Sequence, residues 1–203
     1  MSNKNATRLR ISGICGFLAP VFAFALIFSA ILSYLQFSWV DNALSDLGVV
    51  AGVTAVLFNS GLIVGGILCF IFATGLFVFL KEHAVGRIGA FVFVLASLTF
   101  VAIGLFPENV KPTHYFVSVM FFVLLPISML IIAGAFWLMR QVRMAVFTLL
   151  VAVAAAAPWV LYFSIHYVSN VAIPEAVSAF VGSVWVVAMS GKMLRQASRS
   201  KIP

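Results

Sequence analysis

Ser45 and Asp46, followed by Gly48, place a hydroxyl and a carboxylate side by side in an otherwise apolar stretch. A serine becomes a nucleophile when a base takes its proton, and a carboxylate serves as a base, a metal ligand or the partner of a histidine. No histidine lies near Ser45 in sequence, so a nucleophile there requires His114 or His166 to meet it in space. Ser45, Asp46 and His114 are the candidate catalytic residues, with Asp46 and His114 as the acid–base pair. Asn42, Asn59, Glu108, His166 and Glu175 are the polar residues that would bind a substrate around them. A metal there would draw on His114, His166 and a carboxylate, although the sequence specifies neither a metal nor another cofactor.

Each of these residues also has an ordinary structural role. Asp46 suits a local Asx or N-cap turn. Glu175 follows Pro174 and favours the dipole of a helix first turn, and Glu108 follows Pro107 in a turn. His166 stands beside Tyr162 and Tyr167, as an interfacial residue would. His114 opens its helix close in sequence to Glu108.

The elements that must position them are membrane helices. Of 203 residues, 64% are hydrophobic and only 8% charged, against roughly 25% charged in a soluble domain. Such a chain is solvated by lipid. Six runs, uncharged except for Glu175 at the start of the last, reach or approach the ~20 residues needed to span a bilayer: residues 11–35, 55–80, 88–106, 114–139, 144–165 and 174–191. The fold class is therefore all-α, a six-helix bundle forming one transmembrane domain over residues 1–203. The start of the long apolar stretch after Leu47, with Gly48 and Gly52, reads as a re-entrant or surface segment. The first run continues well past the cleavage-like Ala23, Phe24 and Ala25, so it reads as an uncleaved anchor.

With the N-terminus inside, eleven of the twelve basic residues (Lys4, Arg8, Arg10, Lys81, Arg87, Arg140, Arg143, Lys192, Arg195, Arg199 and Lys201) are cytoplasmic, and Lys111 is outside. This positive-inside bias predicts a multi-pass protein of the cell membrane with both termini cytoplasmic. Tyr34, Trp39, Tyr115, Trp159, Tyr162 and Tyr167 then form an outer aromatic belt, with Trp137 and Trp185 toward the inner side. The net charge of +7 is scattered over segment ends with no aromatic-interleaved patch, which excludes a nucleic-acid site and favours anionic lipid.

In this topology Asp41, Asp46, Glu108, Glu175, His114 and His166 all fall on the outer side, where the second, fourth and sixth helices begin. Helix N-termini and these side chains would converge on a shallow site suited to an anionic head group or a metal. The 68 residues between Asp46 and His114 make their meeting a tertiary prediction.

Inside the membrane, Gly61 with Gly65 and Ser12 with Gly16 are small-xxx-small pairs that let helices approach closely. Pro20, Pro126 and Pro158 interrupt spans and free carbonyls that neighbouring hydroxyls or water must satisfy. Cys15 and Cys69 lie in apolar runs without a CxxC pattern and read as inert thiols. No Asp, Glu, Lys, Arg or His falls at mid-depth, which counts against proton-coupled transport.

The run from Asn42 to Gly48, then Leu57-Phe58-Asn59-Ser60-Gly61, then Gly104-Leu105-Phe106-Pro107-Glu108 followed by His114, resembles the prokaryotic family catalogued as domain of unknown function nine hundred ninety-eight. The resemblance covers nearly the whole chain. It implies a six-helix bundle and points to Ser45, Asp46, Asn59, Glu108 and His114 without implying a reaction. The Ser-Asp-x-Gly and later His pattern has a weaker similarity to the eukaryotic autophagy-modulator membrane family, compatible with a lipid-related role. An analogy to transmembrane hydrolases of the alkaline ceramidase type lacks their paired His-xxx-His.

Three function classes fit these residues. A lipid- or partner-binding module needs only the bundle and the outer site, with membrane lipids, a membrane-protein partner or a second copy of the chain as occupants. An outer-leaflet lipid head-group hydrolase or transferase would use Asp46 and His114. A small-molecule transporter is the third, disfavoured by the uncharged midplane.

Overall fold

A computed structural model describes residues 2–199, and among these every regular element is helical. Lys201 lies outside the described residues. Six long helices follow one another: α1 (Asn3–Ser33), α2 (Val53–Phe79), α3 (Ala84–Leu105), α4 (Thr113–Leu138), α5 (Val142–Ile165) and α6 (Ala172–Arg199). Each is long and apolar enough to cross a membrane, and the protein is a multi-pass membrane protein. Each helix packs on its chain neighbours, and α6 returns to pack on α1, closing a ring.

The α1–α2, α3–α4 and α5–α6 connections share one end of the ring with Asp41, Asp46, Glu108 and Glu175, here called the acidic end. The start of α1, the end of α6 and the α2–α3 and α4–α5 connections form the basic end, which holds ten lysines and arginines and the single carboxylate Glu82 among the described residues. Glu82 pairs with Lys81 at 3.2 Å on the surface.

The helices differ from the apolar runs mainly at the basic end. α1 begins at Asn3, with Ser2 accepting the Asn5 N–H as N-cap, and α6 continues through Lys192 and Arg195 to Arg199. An uncharged run measures the lipid-soluble part of a helix, whereas the backbone ladder continues while one face stays packed. Met193 and Ala197 supply that face on α6, and Ala6 and Leu9 on α1.

Small residues set the approach of neighbouring helices. A Cβ on Gly61 would lie 3.0 Å from the Leu26 side chain, and one on Gly65 2.9 Å from Ala23, which joins α2 to α1. Ser12 meets Gly75, and Gly16 meets Ser190 and Phe72, tying α1 to α2 and α6. On α5, Pro158 removes a backbone donor, and Ser178 of α6 donates to the nearby Ala155 carbonyl at 2.7 Å. Trp185 does not belong to an interfacial belt. It is fully buried against Phe72 and Phe93, and its indole N–H donates to Thr148 at 3.1 Å. A buried hydroxyl partner makes the interior tolerable for an indole that sequence position alone assigned to the surface.

Candidate functional site

The acidic end is organised by a short 3₁₀ segment, Leu44–Val49, lying between α1 and α2 with Leu44, Ser45, Leu47 and Gly48 buried. It overlaps the stretch after Leu47 expected to be re-entrant or superficial, and it forms two turns of 3₁₀ helix. Asp46 fixes its start: one carboxylate oxygen accepts the Ala43 N–H at 3.0 Å and the Asn42 amide at 2.7 Å. The Asn42 side-chain oxygen in turn accepts the Ser38 N–H at 2.9 Å. Asn59, inside α2, holds the far end by donating to the Gly48 carbonyl at 2.9 Å. Gly48 fits closely there, since a Cβ would lie 2.7 Å from the Asn59 side-chain oxygen and displace it.

Long-range bonds then seat the segment on the bundle. Glu175, in the first turn of α6 and buried, accepts the Leu44 N–H at 2.7 Å. The Asn170 N–H donates to the Val40 carbonyl, its side chain to the Asp41 carbonyl, and the Ala172 N–H to the Asn42 carbonyl. The α1–α2 connection is thereby laced to the start of α6.

Glu108 completes the cluster from the α3–α4 connection. Its carboxyl accepts the Ser45 hydroxyl at 3.3 Å and lies in the field of the Asp46 carboxyl. Burial pushes the Glu108 carboxyl above its ordinary range. Asp46 adds to the rise, while the Ser45 hydroxyl and His114 pull it down. His114, buried in the first turn of α4, donates from Nδ1 to the Phe106 carbonyl at 2.7 Å, and its Nε2 lies 3.3 Å from the Ser118 hydroxyl.

Ser45, Asp46, Glu108 and Glu175 are therefore brought together, with His114 within electrostatic reach of Glu108, while Asn42 and Asn59 support the turn that carries the first two. His166 is not part of the group. It is exposed, ends α5 with a left-handed backbone (φ 46°), and lies against Tyr162. The ligand set His114, His166 and a carboxylate is not assembled, and among the described residues no three such side chains are placed to hold a metal ion. Leu44, Asn170 and Ser118 had not been singled out. Ser118 was accessible, since it stands one helical turn from His114, whereas Leu44 and Asn170 act through backbone and loop contacts that leave no pattern.

Beneath the cluster, enclosed by α1, α2, α3, α4 and α6, lies a cavity of about 100 Å³. Ser45 and Glu175 stand at its acidic-end mouth. Its walls are apolar and aromatic, including Leu62, Phe93, Phe100 and Phe121, and it reaches Cys69 and Val186. Eleven residues separate Phe58 from Cys69 on α2, and eleven separate Glu175 from Val186 on α6. At ~1.5 Å per residue the cavity is about 16 Å deep, roughly half of the ~30 Å hydrocarbon core.

The model of a family described as "Protein of unknown function (DUF998)" matches residues 17–192. The chain belongs to this family. The match begins inside α1 and ends inside α6, so the DUF998 region contains every site residue named above and the whole cavity lining. No curated protein matches the chain, and no solved structure does.

Proposed function

We propose that the protein holds one lipid of the leaflet at its acidic end, with an acyl chain in the cavity and the polar head at the Ser45, Glu108, Glu175 and His114 cluster. By the distribution of lysine and arginine this is the extracytoplasmic leaflet of the cell membrane, with both termini in the cytoplasm. The observation that carries the reading is the depth of the cavity, which begins at two polar side chains and ends one leaflet lower. A dry, apolar space of this kind accepts apolar matter and not a polar solute. The polar mouth separates it from an ordinary packing void.

The alternative of a head-group hydrolase requires a base for Ser45. The Ser45 hydroxyl donates to Glu108 and meets no histidine nitrogen. Asp46 is engaged by Asn42 and Ala43, and His114 by Phe106 and Ser118. These geometries favour binding over catalysis.

The test fills the cavity. Ala96 is buried, lines it and bears no polar atom. Native mass spectrometry of purified protein should show one retained lipid in the natural sequence and none in Ala96→Phe, with the bundle still folded by circular dichroism. Equal lipid retention by a folded Ala96→Phe would overturn the proposal.

A further inference from the structure

The cavity is sealed unequally by its walls. α1 and α2 close over Gly61 and Gly65. α2 and α3 close where Gly66 meets Val101 and Gly104 meets the Asn59 carbonyl. α3 and α4 close where Gly89 meets Ile132 and where the Phe100 and Phe121 rings stack 4.7 Å apart. On the α4–α5 side, Phe122 of the cavity wall packs on Trp159 at 4.7 Å, and α5 joins α6 through the Ser178 and Trp185 hydrogen bonds.

The α1–α6 seam differs along its length. In its basic half it is tight, since a Cβ on Gly13 would lie 2.8 Å from Leu194 and Gly16 abuts Ser190. At the acidic end the Asn170 and Ala172 bonds to the α1–α2 connection pin it again. Between these two fastenings, Pro20 and Phe24 of α1 face Ala179 and Ser183 of α6 as cavity-lining residues, all four half-buried. No glycine brings the two backbones together there. The span is crossed by an edge-on contact of Phe24 with Phe180, ring centroids 6.2 Å apart, and Phe180 is 62% exposed.

We infer that the α1–α6 seam is a lateral portal through which an acyl chain of a bilayer lipid enters the cavity, with Phe24 and Phe180 as its gate. The inference rests on the lipid-holding reading and adds the route and the residues that control it. The occupant follows from position. The window opens in the apolar part of a membrane helix pair, where the surrounding medium is acyl chain, and it is closed by two side chains able to rotate without breaking a hydrogen bond. The pinned ends let the gap open without the helices separating.

The experiment places Phe24→Cys and Phe180→Cys in a chain carrying Cys15→Ala and Cys69→Ala. The delipidated protein is joined, or left unjoined, with a short bis-maleimide and reconstituted into phosphatidylcholine vesicles containing a lipid with a photoreactive group in its acyl chain. Labelled residues are located by mass spectrometry. The unjoined protein should be labelled at the interior Phe100 and Phe121. The joined protein should lose that labelling to the level of an unirradiated control, while lipid-facing Phe163 stays labelled in both. Interior labelling that survives joining overturns the portal and leaves the lipid-holding reading standing; absence of interior labelling in both forms overturns the two together. Phe24→Ala alone, which needs no cross-link, should speed interior labelling after mixing with the vesicles, and an unchanged or slower rate contradicts the gate.

Discussion

Glu108 takes part in three interactions: it accepts from Ser45, feels the charge of Asp46, and lies within the electrostatic reach of His114. Its carboxyl is raised from 4.5 mainly by burial and then by Asp46. For an acid raised on folding, the folded state holds the proton more tightly than the unfolded one. Its penalty is therefore absent below the unfolded value and grows as pH rises toward the folded value. Glu108→Gln keeps a neutral hydrogen-bonding group and removes that penalty. It should raise the melting temperature at neutral pH by a few degrees and have little effect at acid pH, as thermal melts over a pH series would show; a lower Tm at neutral pH would mean the charged form is the one the fold uses. Asp46 shows its role through a pair of substitutions. Asp46→Asn preserves a cap of similar strength, and Asp46→Ala loses it at a cost of about 1–2 kcal/mol. Asp46→Asn should therefore remain folded with its lipid, and a denaturation series on both variants would separate them. Loss of lipid from a folded Asp46→Asn would return this carboxylate to the binding machinery, as the sequence reading had it.

At the scale of the element, the sequence showed where helices cross lipid and left open where they end. Charge marks the edge of the membrane, so α2 to α5 were legible to within a few residues, while α1 and α6 run on into charged turns. The 3₁₀ segment was visible as an anomaly through Gly48, Gly52 and the Ser45–Asp46 pair. Its anchors on Glu175 and Asn170 were not, because they come from more than a hundred residues away. His166 shows how a plausible ligand can be a helix terminator. Its N–H bonds to the Tyr162 carbonyl and its φ of 46° suits glycine. His166→Gly should stabilise the protein by roughly 1 kcal/mol and leave lipid retention unchanged, measured by unfolding in detergent and by mass spectrometry. Destabilisation together with lost lipid would place His166 back at the site.

At the scale of the whole molecule, six apolar helices read alike in sequence, because a face turned to lipid and a face turned to a cavity use the same residues. Ala96 in the interior and Val153 on the outside are indistinguishable until the ring closes. The closure of α6 on α1, and with it the cavity, was thus invisible, whereas membership of the bundle class was plain from composition. Orientation is a whole-molecule property that the basic residues predict. Single cysteines at Asn109 and Arg140, in a chain free of its native thiols, should differ in intact cells: Asn109 reacts with an impermeant thiol reagent and Arg140 does not. Reaction at both positions would contradict the six-span topology. The central claim, that the cavity is a lipid-chain site, is tested most directly by an experimental structure of the protein in lipid nanodiscs. It predicts continuous elongated density from Ser45 and Glu175 down to Cys69 and Val186, leaving the ring between α1 and α6. A cavity filled by its own side chains, with no such density, would contradict it.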